Sequence, residues 1–198
     1  MHTTHGGIPD LCYVVDSSGS MQWNWQLGQG PYDCLLRAIY SVERFLMETR
    51  KGPLLRYCAV NFSNTTLRTR WCGYAELADV RRLLFRHQNG GTRLDCQVLR
   101  QVAAESMDRF LCLMVTDGQL KNAAEVAATA SDLVARGNWF VLIHIGAASA
   151  LVRIIREAGL PAHTITVAGQ LEGLCLEYAR RTWGVPQMST KNGQEPGI

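Results

Sequence analysis

The stretch Leu11–Met21, LCYVVDSSGSM, decides how the rest of the chain is read. Its first half, Leu11–Asp16, is a short and nearly continuous apolar run, the pattern of a β-strand buried on both faces. It breaks at once into Asp16-Ser17-Ser18-Gly19-Ser20, in which a carboxylate and two hydroxyls alternate along the chain. Gly19 permits a tight turn there, so that two serine hydroxyls can point at one spot. A strand ending in clustered oxygen donors predicts a ligand site beyond the carboxyl end of a parallel sheet, where doubly wound folds place theirs.

Working outward, strand-like runs and helix-like spacing alternate. Pro31 opens a helical pattern carried by Leu35, Ile39, Val42 and Leu46, ending near Gly52-Pro53. Arg56–Phe62 reads as a second strand, and Thr66–Trp71 as a third at a sheet edge. Ala75–His87 is a short helix. A further helix follows Gly90-Gly91, with Leu94, Val98 and Val102 on one face. Phe110–Val115 is a fourth, buried strand. Ala123–Arg136 is an Ala-rich helix with Val126, Ala130, Leu133 and Val134 inward, stopped by Gly137. Trp139–Ile145 is a fifth strand, and Ala148–Ala158 a helix facing inward with Leu151, Ile154, Ile155 and Ala158. Ala162–Val167 is a sixth strand, and Leu171–Trp183 the last helix. This alternation predicts an α/β, doubly wound, mainly parallel six-stranded sheet with helices on both faces, Rossmann-like in architecture. Residues 8–184 are expected to form the domain, 1–7 a flexible N-terminal segment, and the aperiodic 185–198 a linker or disordered tail.

The 198 residues suffice for one domain with a full core, and 47% hydrophobic with 19% charged residues marks a globular chain. A net charge of +3 argues against nucleic acid or an anionic membrane as partner. Arg68, Arg70, Arg81, Arg82 and Arg86 cluster in sequence and read as a solvated face. The seven cysteines include no C-x-x-C pair, and Cys12, Cys58 and Cys112 sit within apolar runs. Free thiols used as small hydrophobes suit a reducing compartment. Met1–Gly7 lacks the apolar core of a signal peptide, and no run approaches the length of a membrane span. A cytoplasmic location is the expectation.

Two further segments join the first motif. Thr92 follows the glycine pair, placed as an N-cap or first-turn residue of a helix, and the fourth strand ends in Thr116-Asp117-Gly118. Asp117 would face Asp16 if the two strands are neighbours. Hydroxyl and carboxylate oxygens suit a hard divalent cation, and no soft ligand is present. Each piece alone has an ordinary structural use, as a turn, a cap or an Asx-turn.

Together, in this order and in this alternating fold, they resemble the von Willebrand factor A (VWA) domain family over about residues 8–184. The resemblance implies the strand order 3-2-1-4-5-6 and a metal-ion-dependent adhesion site (MIDAS). Its ligands would be the hydroxyls of Ser18, Ser20 and Thr92 and the carboxylates of Asp16 and Asp117, holding Mg²⁺, or Mn²⁺ or Ca²⁺. It further implies a protein partner that supplies an Asp or Glu to the ion. Among intracellular members that partner often belongs with an AAA+ ATPase or another subunit of the same complex. Neutral hydroxyl ligands leave the ion much of its charge, which attracts such a carboxylate.

Trp23 and Trp25, in the loop after the motif, are candidate partner contacts, since Trp is enriched at binding hot spots; folding back onto the domain is the alternative. Arg93, beside Thr92, is a candidate to pair with a partner carboxylate or with a core acid. Asp95 reads as a helix-surface residue. His144 reads as a satisfied core histidine, His87 and His163 as isolated, and His2 and His5 as part of a flexible start. No nucleotide-binding loop, G-x-S-x-G elbow or Cys–His pairing stands out, so an enzyme is not expected. Two other readings stay open: a metal-assisted hydrolase, and a structural VWA domain with a vestigial metal site.

Overall fold

The computed structural model describes residues 7–22, 30–167 and 169–184. The ends expected to be flexible, 1–7 apart from Gly7 and 185–198, lie outside the described residues, as do Trp23 and Trp25. Six strands form one sheet: β1 Asp10–Asp16, β2 Tyr57–Phe62, β3 Thr66–Arg68, β4 Phe110–Thr116, β5 Trp139–Ile145 and β6 Ala162–Ile165. The helices are α1 Pro31–Glu48, α2 Leu77–Leu84, α3 Cys96–Glu105, α4 Ala123–Ala135, α5 Ala150–Glu157 and α6 Gly169–Trp183. The sheet runs β3-β2-β1-β4-β5-β6. All neighbours are parallel except the short edge strand β3, which turns back antiparallel on β2.

Successive side chains of a strand point to opposite faces, so a strand covered on both sides must be apolar throughout. That is why LCYVVD and FLCLMV are unbroken runs. On one face Leu11, Tyr13 and Val15 pack with residues of α1, α2 and α6. On the other, Cys12, Val14 and Phe62 pack with residues of α3, α4 and α5. The mainly parallel six-stranded sheet with helices on both faces is therefore the fold observed.

Several local expectations are corrected. Val134 points outward and is 37% exposed, because the buried face of α4 runs through Val126, Ala130 and Leu133. The buried face of α5 is Leu151, Val152 and Ile155; Ile154 is half-buried and Ala158 exposed. Helix α3 begins at Cys96, so Leu94 packs into the core from the loop before it. Gly137, at φ +86°, ends α4 in the left-handed conformation that glycine tolerates.

Four of the five clustered arginines, all but Arg86, are paired with acids. Arg68 meets Glu105, Arg70 meets Glu76, Arg81 meets Glu43 and Arg82 meets Asp79. Among the described residues, no helix is long and apolar enough to cross a membrane. All seven cysteines are free and buried. Cys58, Cys12 and Cys112 lie side by side in register across β2, β1 and β4. A thiol reagent should therefore find essentially no fast-reacting group in the native protein and all seven after denaturation. A rapid native reaction of two or more thiols would contradict this packing.

Candidate metal centre

The sheet's strand order reverses direction at β1, which has β2 on one side and β4 on the other. The pairing Val15 with Val115 places the ends of β1 and β4 level, and Asp16 and Asp117 leave those ends together. Asp16 is fully buried, and its two oxygens are both held by donors. The Ser18 backbone N–H donates to Oδ1 at 2.8 Å, and the Thr116 hydroxyl donates to Oδ2 at 2.5 Å. The chain then winds through one 3-10 turn, Gly19–Gln22. This turn brings Ser18 Oγ to 3.2 Å from Ser20 Oγ, and Ser20 Oγ donates to Asp117 Oδ1 at 2.8 Å.

Thr92 approaches from the other side, and glycines make the approach possible. A Cβ on Gly118 would lie 2.8 Å from both Thr92 Oγ1 and Thr92 Cγ2, and 3.3 Å from Asp16 Oδ2. A Cβ on Gly90 would lie 2.6 Å from Ser63 Oγ and from Asn64 Nδ2. The loop is tied down by Ser63 Oγ donating to the Gly91 carbonyl at 3.0 Å and by Gly91 N–H donating to Asn64 Oδ1 at 2.8 Å. Thr92 is not the helix cap expected from its position. Asp95 caps α3, accepting the Gln97 N–H at 2.9 Å, and Thr92 stands three residues earlier with its hydroxyl in no hydrogen bond among the described residues.

All five oxygen-bearing residues singled out in the sequence thus converge on one place. Burial pushes the Asp117 carboxyl up to about 6; the Ser20 hydrogen bond pulls against the rise and the Asp16 charge adds to it. Burial also raises Asp16, against the hydrogen bonds from Thr116 and Ser18. A buried carboxylate and a half-buried one whose ionisation it disfavours, with hydroxyls beside them, are a donor set that fits a hard divalent cation. Among the described residues no cluster of three or more His, Cys, Asp or Glu could hold a metal. The present site has a different make-up, two acids and three hydroxyls.

Two supporting residues, His87 and Asn61, were not assigned to the site from the sequence. His87, which looked isolated, has Nε2 3.0 Å from the Ser18 carbonyl and Nδ1 2.7 Å from Gln22 Nε2. Asn61 is fully buried in β2 and accepts from Ser17 Oγ at 2.5 Å and Gln88 Nε2 at 2.7 Å. It donates to the carbonyls of Leu83 and Arg86, coupling the Ser17 turn to the end of α2. A lone Asn inside the apolar run YCAVNF was the available signal, since a buried amide needs partners. His144 is buried, but neither ring nitrogen has a hydrogen-bond partner, which corrects the expectation of a satisfied histidine. Burial holds its pKa below the ordinary value, against a weak pull from the Gly118 backbone. Arg93 is exposed beside Thr92 and pairs with no acid among the described residues.

No family model and no curated protein matches the sequence. Solved structures do match. The pilus adhesin SpaC from Lactobacillus rhamnosus GG superposes with a TM-score of 0.75 at 14% identity, over 90% of this chain and 31% of that one. The SpRpn10 VWA domain matches with a TM-score of 0.65 at 12% identity, over 83% of this chain and 93% of that domain. The chain has the von Willebrand factor A fold. Proximal thread matrix protein 1 from the mussel byssus, solved with a zinc-occupied MIDAS motif, matches with a TM-score of 0.66 at 18% identity. That match spans 87% of this chain and 47% of the byssus protein. The chain therefore covers less than half the length of the adhesin and of the byssus protein.

The raised Asp117 pKa has a measurable consequence in metal-free buffer. A carboxyl whose folded pKa, about 6, exceeds its ordinary 3.8 holds a proton when folded that it loses when unfolded. Stability from this group is intact below pH 3.8 and declines as pH rises toward about 6. In EDTA, Asp117→Asn should melt above the wild type at pH 7, and the gap should close toward pH 4. A gap independent of pH would show that Asp117 ionises freely.

Proposed function

We propose that this VWA domain is a binding module, using a MIDAS-held Mg²⁺ or Mn²⁺ to capture a carboxylate from a protein partner. The observation that carries the reading is the convergence of Asp16, Ser18, Ser20, Thr92 and Asp117 at the switch point of the sheet. Three of the five donors are neutral hydroxyls, so a bound ion would keep net positive charge toward solvent and recruit an anionic ligand. Ca²⁺ fits the same oxygen donors, and a neighbouring fold with a zinc-occupied MIDAS supports divalent occupancy in general. Trp23, Trp25 and Arg93 are proposed to contact the partner around the ion.

A binding role is favoured over hydrolysis by the two imidazoles nearest the site. His87 has both nitrogens engaged, and His144 is only 2% exposed, so neither stands ready as a general base. Seven buried free thiols support a reducing, cytoplasmic setting. There the partner would be an AAA+ ATPase or another subunit of a shared complex. Residues 8–184 are proposed as the functional unit.

Thermal melting with EDTA and with Mg²⁺ or Mn²⁺ tests the reading. Metal at about 100-fold over Kd should add roughly 2.7 kcal/mol of stability to the wild type. Thr92→Ala and Asp16→Ala should lose the gain. Gly118→Ala should lose it too, because its methyl group would displace Thr92. A wild type indifferent to both metals, yet able to bind its partner in EDTA, would mean a vestigial site.

A further inference from the structure

Two cations flank the Thr92 corner of the site. Arg93 follows Thr92 in sequence, and Lys121 is tied to it by its backbone N–H, which donates to the Thr92 carbonyl at 3.2 Å. Both side chains are exposed, and neither is in an ion pair among the described residues. Other described cations, among them Arg37, Arg50 and Arg86, also lack an acid partner, and Arg93 and Lys121 are the two joined to Thr92, by the chain and by a backbone hydrogen bond. Arg93 also lines a polar groove of about 430 Å³, with Asn64, Thr65 and Thr66 on one wall and Asp95 and Glu125 among its other residues. Those two acids are already held. Asp95 accepts the Gln97 N–H, and Glu125 accepts from Asn122 Nδ2 at 3.0 Å and lies 4.0 Å from Arg100.

We infer that the partner segment carries a pair of acids, one for the ion and a second for the Arg93–Lys121 cations, with the chain continuing into the Asn64–Thr66 groove. The inference rests on the metal-site reading above and narrows it to a class of ligand. Two unpaired cations beside an electropositive ion supply binding for one more carboxylate, and a planar guanidinium can take it bidentately. Asp95 and Glu125 in the groove oppose a third acid, so a long polyacidic run gains nothing over a pair. The second contact lies at an exposed rim, so it is screened by salt.

Three fluorescent peptides in a Gly/Ser background test this: one with a single aspartate, one with two adjacent acids, and one with six. Binding is measured with Mn²⁺ and with EDTA, at low and at physiological salt. The pair is expected to bind about tenfold tighter than the single acid with Mn²⁺ at low salt, with the six-acid run no tighter than the pair. In Arg93→Ala/Lys121→Ala the pair-to-single ratio should fall to near one. The variant's Mn²⁺-dependent melting shift reports that the site is still assembled. Equal affinity for one and two acids, or a ratio the double variant leaves untouched, overturns the acid-pair inference while leaving the metal site standing. A wild type whose melting ignores Mn²⁺ overturns the metal reading and the inference with it.

Discussion

Like charges resist burial together, and this fold puts a fully buried carboxylate, Asp16, beside a half-buried one, Asp117. Asp16 and Asp117 meet because β1 and β4 are parallel neighbours that end level. Desolvation raises both pKa values, and the Asp16 charge adds to the rise at Asp117. The surrounding chain compensates with donors: the Ser18 amide and the hydroxyls of Thr116 and Ser20 each give a hydrogen bond to one of the two acids. Such compensation is partial, since Asp117 remains at about 6. A divalent cation would relieve the remaining repulsion, and the donor set around the pair suits one.

The rest of the top of the sheet holds that arrangement in place. Asn61 reaches from β2 to bind the Ser17 hydroxyl and the carbonyls that close α2, so the Asp16 turn is fixed by the core beneath it. His87 bridges the Ser18 carbonyl and the Gln22 amide. Ser63 and Asn64 clamp the glycine pair that presents Thr92. Glycine is required at 90 and 118 by contact distances under 3 Å, so the site depends on residues that contribute no donor of their own. Truncating one of these supports should loosen the site even though no oxygen ligand is lost.

Much of this was legible in the amino-acid order, for physical reasons that differ by element. Strands buried on both faces are unbroken apolar runs, so β1, β4 and β5 were found nearly to the residue. The oxygen-rich turns stand out because they follow those strands directly. Surface-near detail was harder. Val134, Ile154 and Ala158 share helical spacing with core residues, and only packing against the sheet decides which side of the apolar arc is covered. Thr92 reads as an N-cap or first-turn residue because a helical pattern follows the glycine pair, but Asp95 takes the cap and leaves Thr92 in the loop. His87 and Asn61 act through contacts with residues 69 and 44 positions away, which no local pattern carries.

The fold is shared with adhesins and with a byssus matrix protein at sequence identities of 14% and 18%, so what passes between them is architecture. At this chain's switch point stand two acids, three hydroxyls and, at the rim, two unpaired cations. The direct measurement is an anomalous difference map from crystals soaked in Mn²⁺. One peak enclosed by Ser18, Ser20, Thr92, Asp16 and Asp117 is the predicted result. A map with no peak among those five oxygens at saturating Mn²⁺, or with its strongest peak elsewhere on the protein, would contradict a metal-centred role for this site.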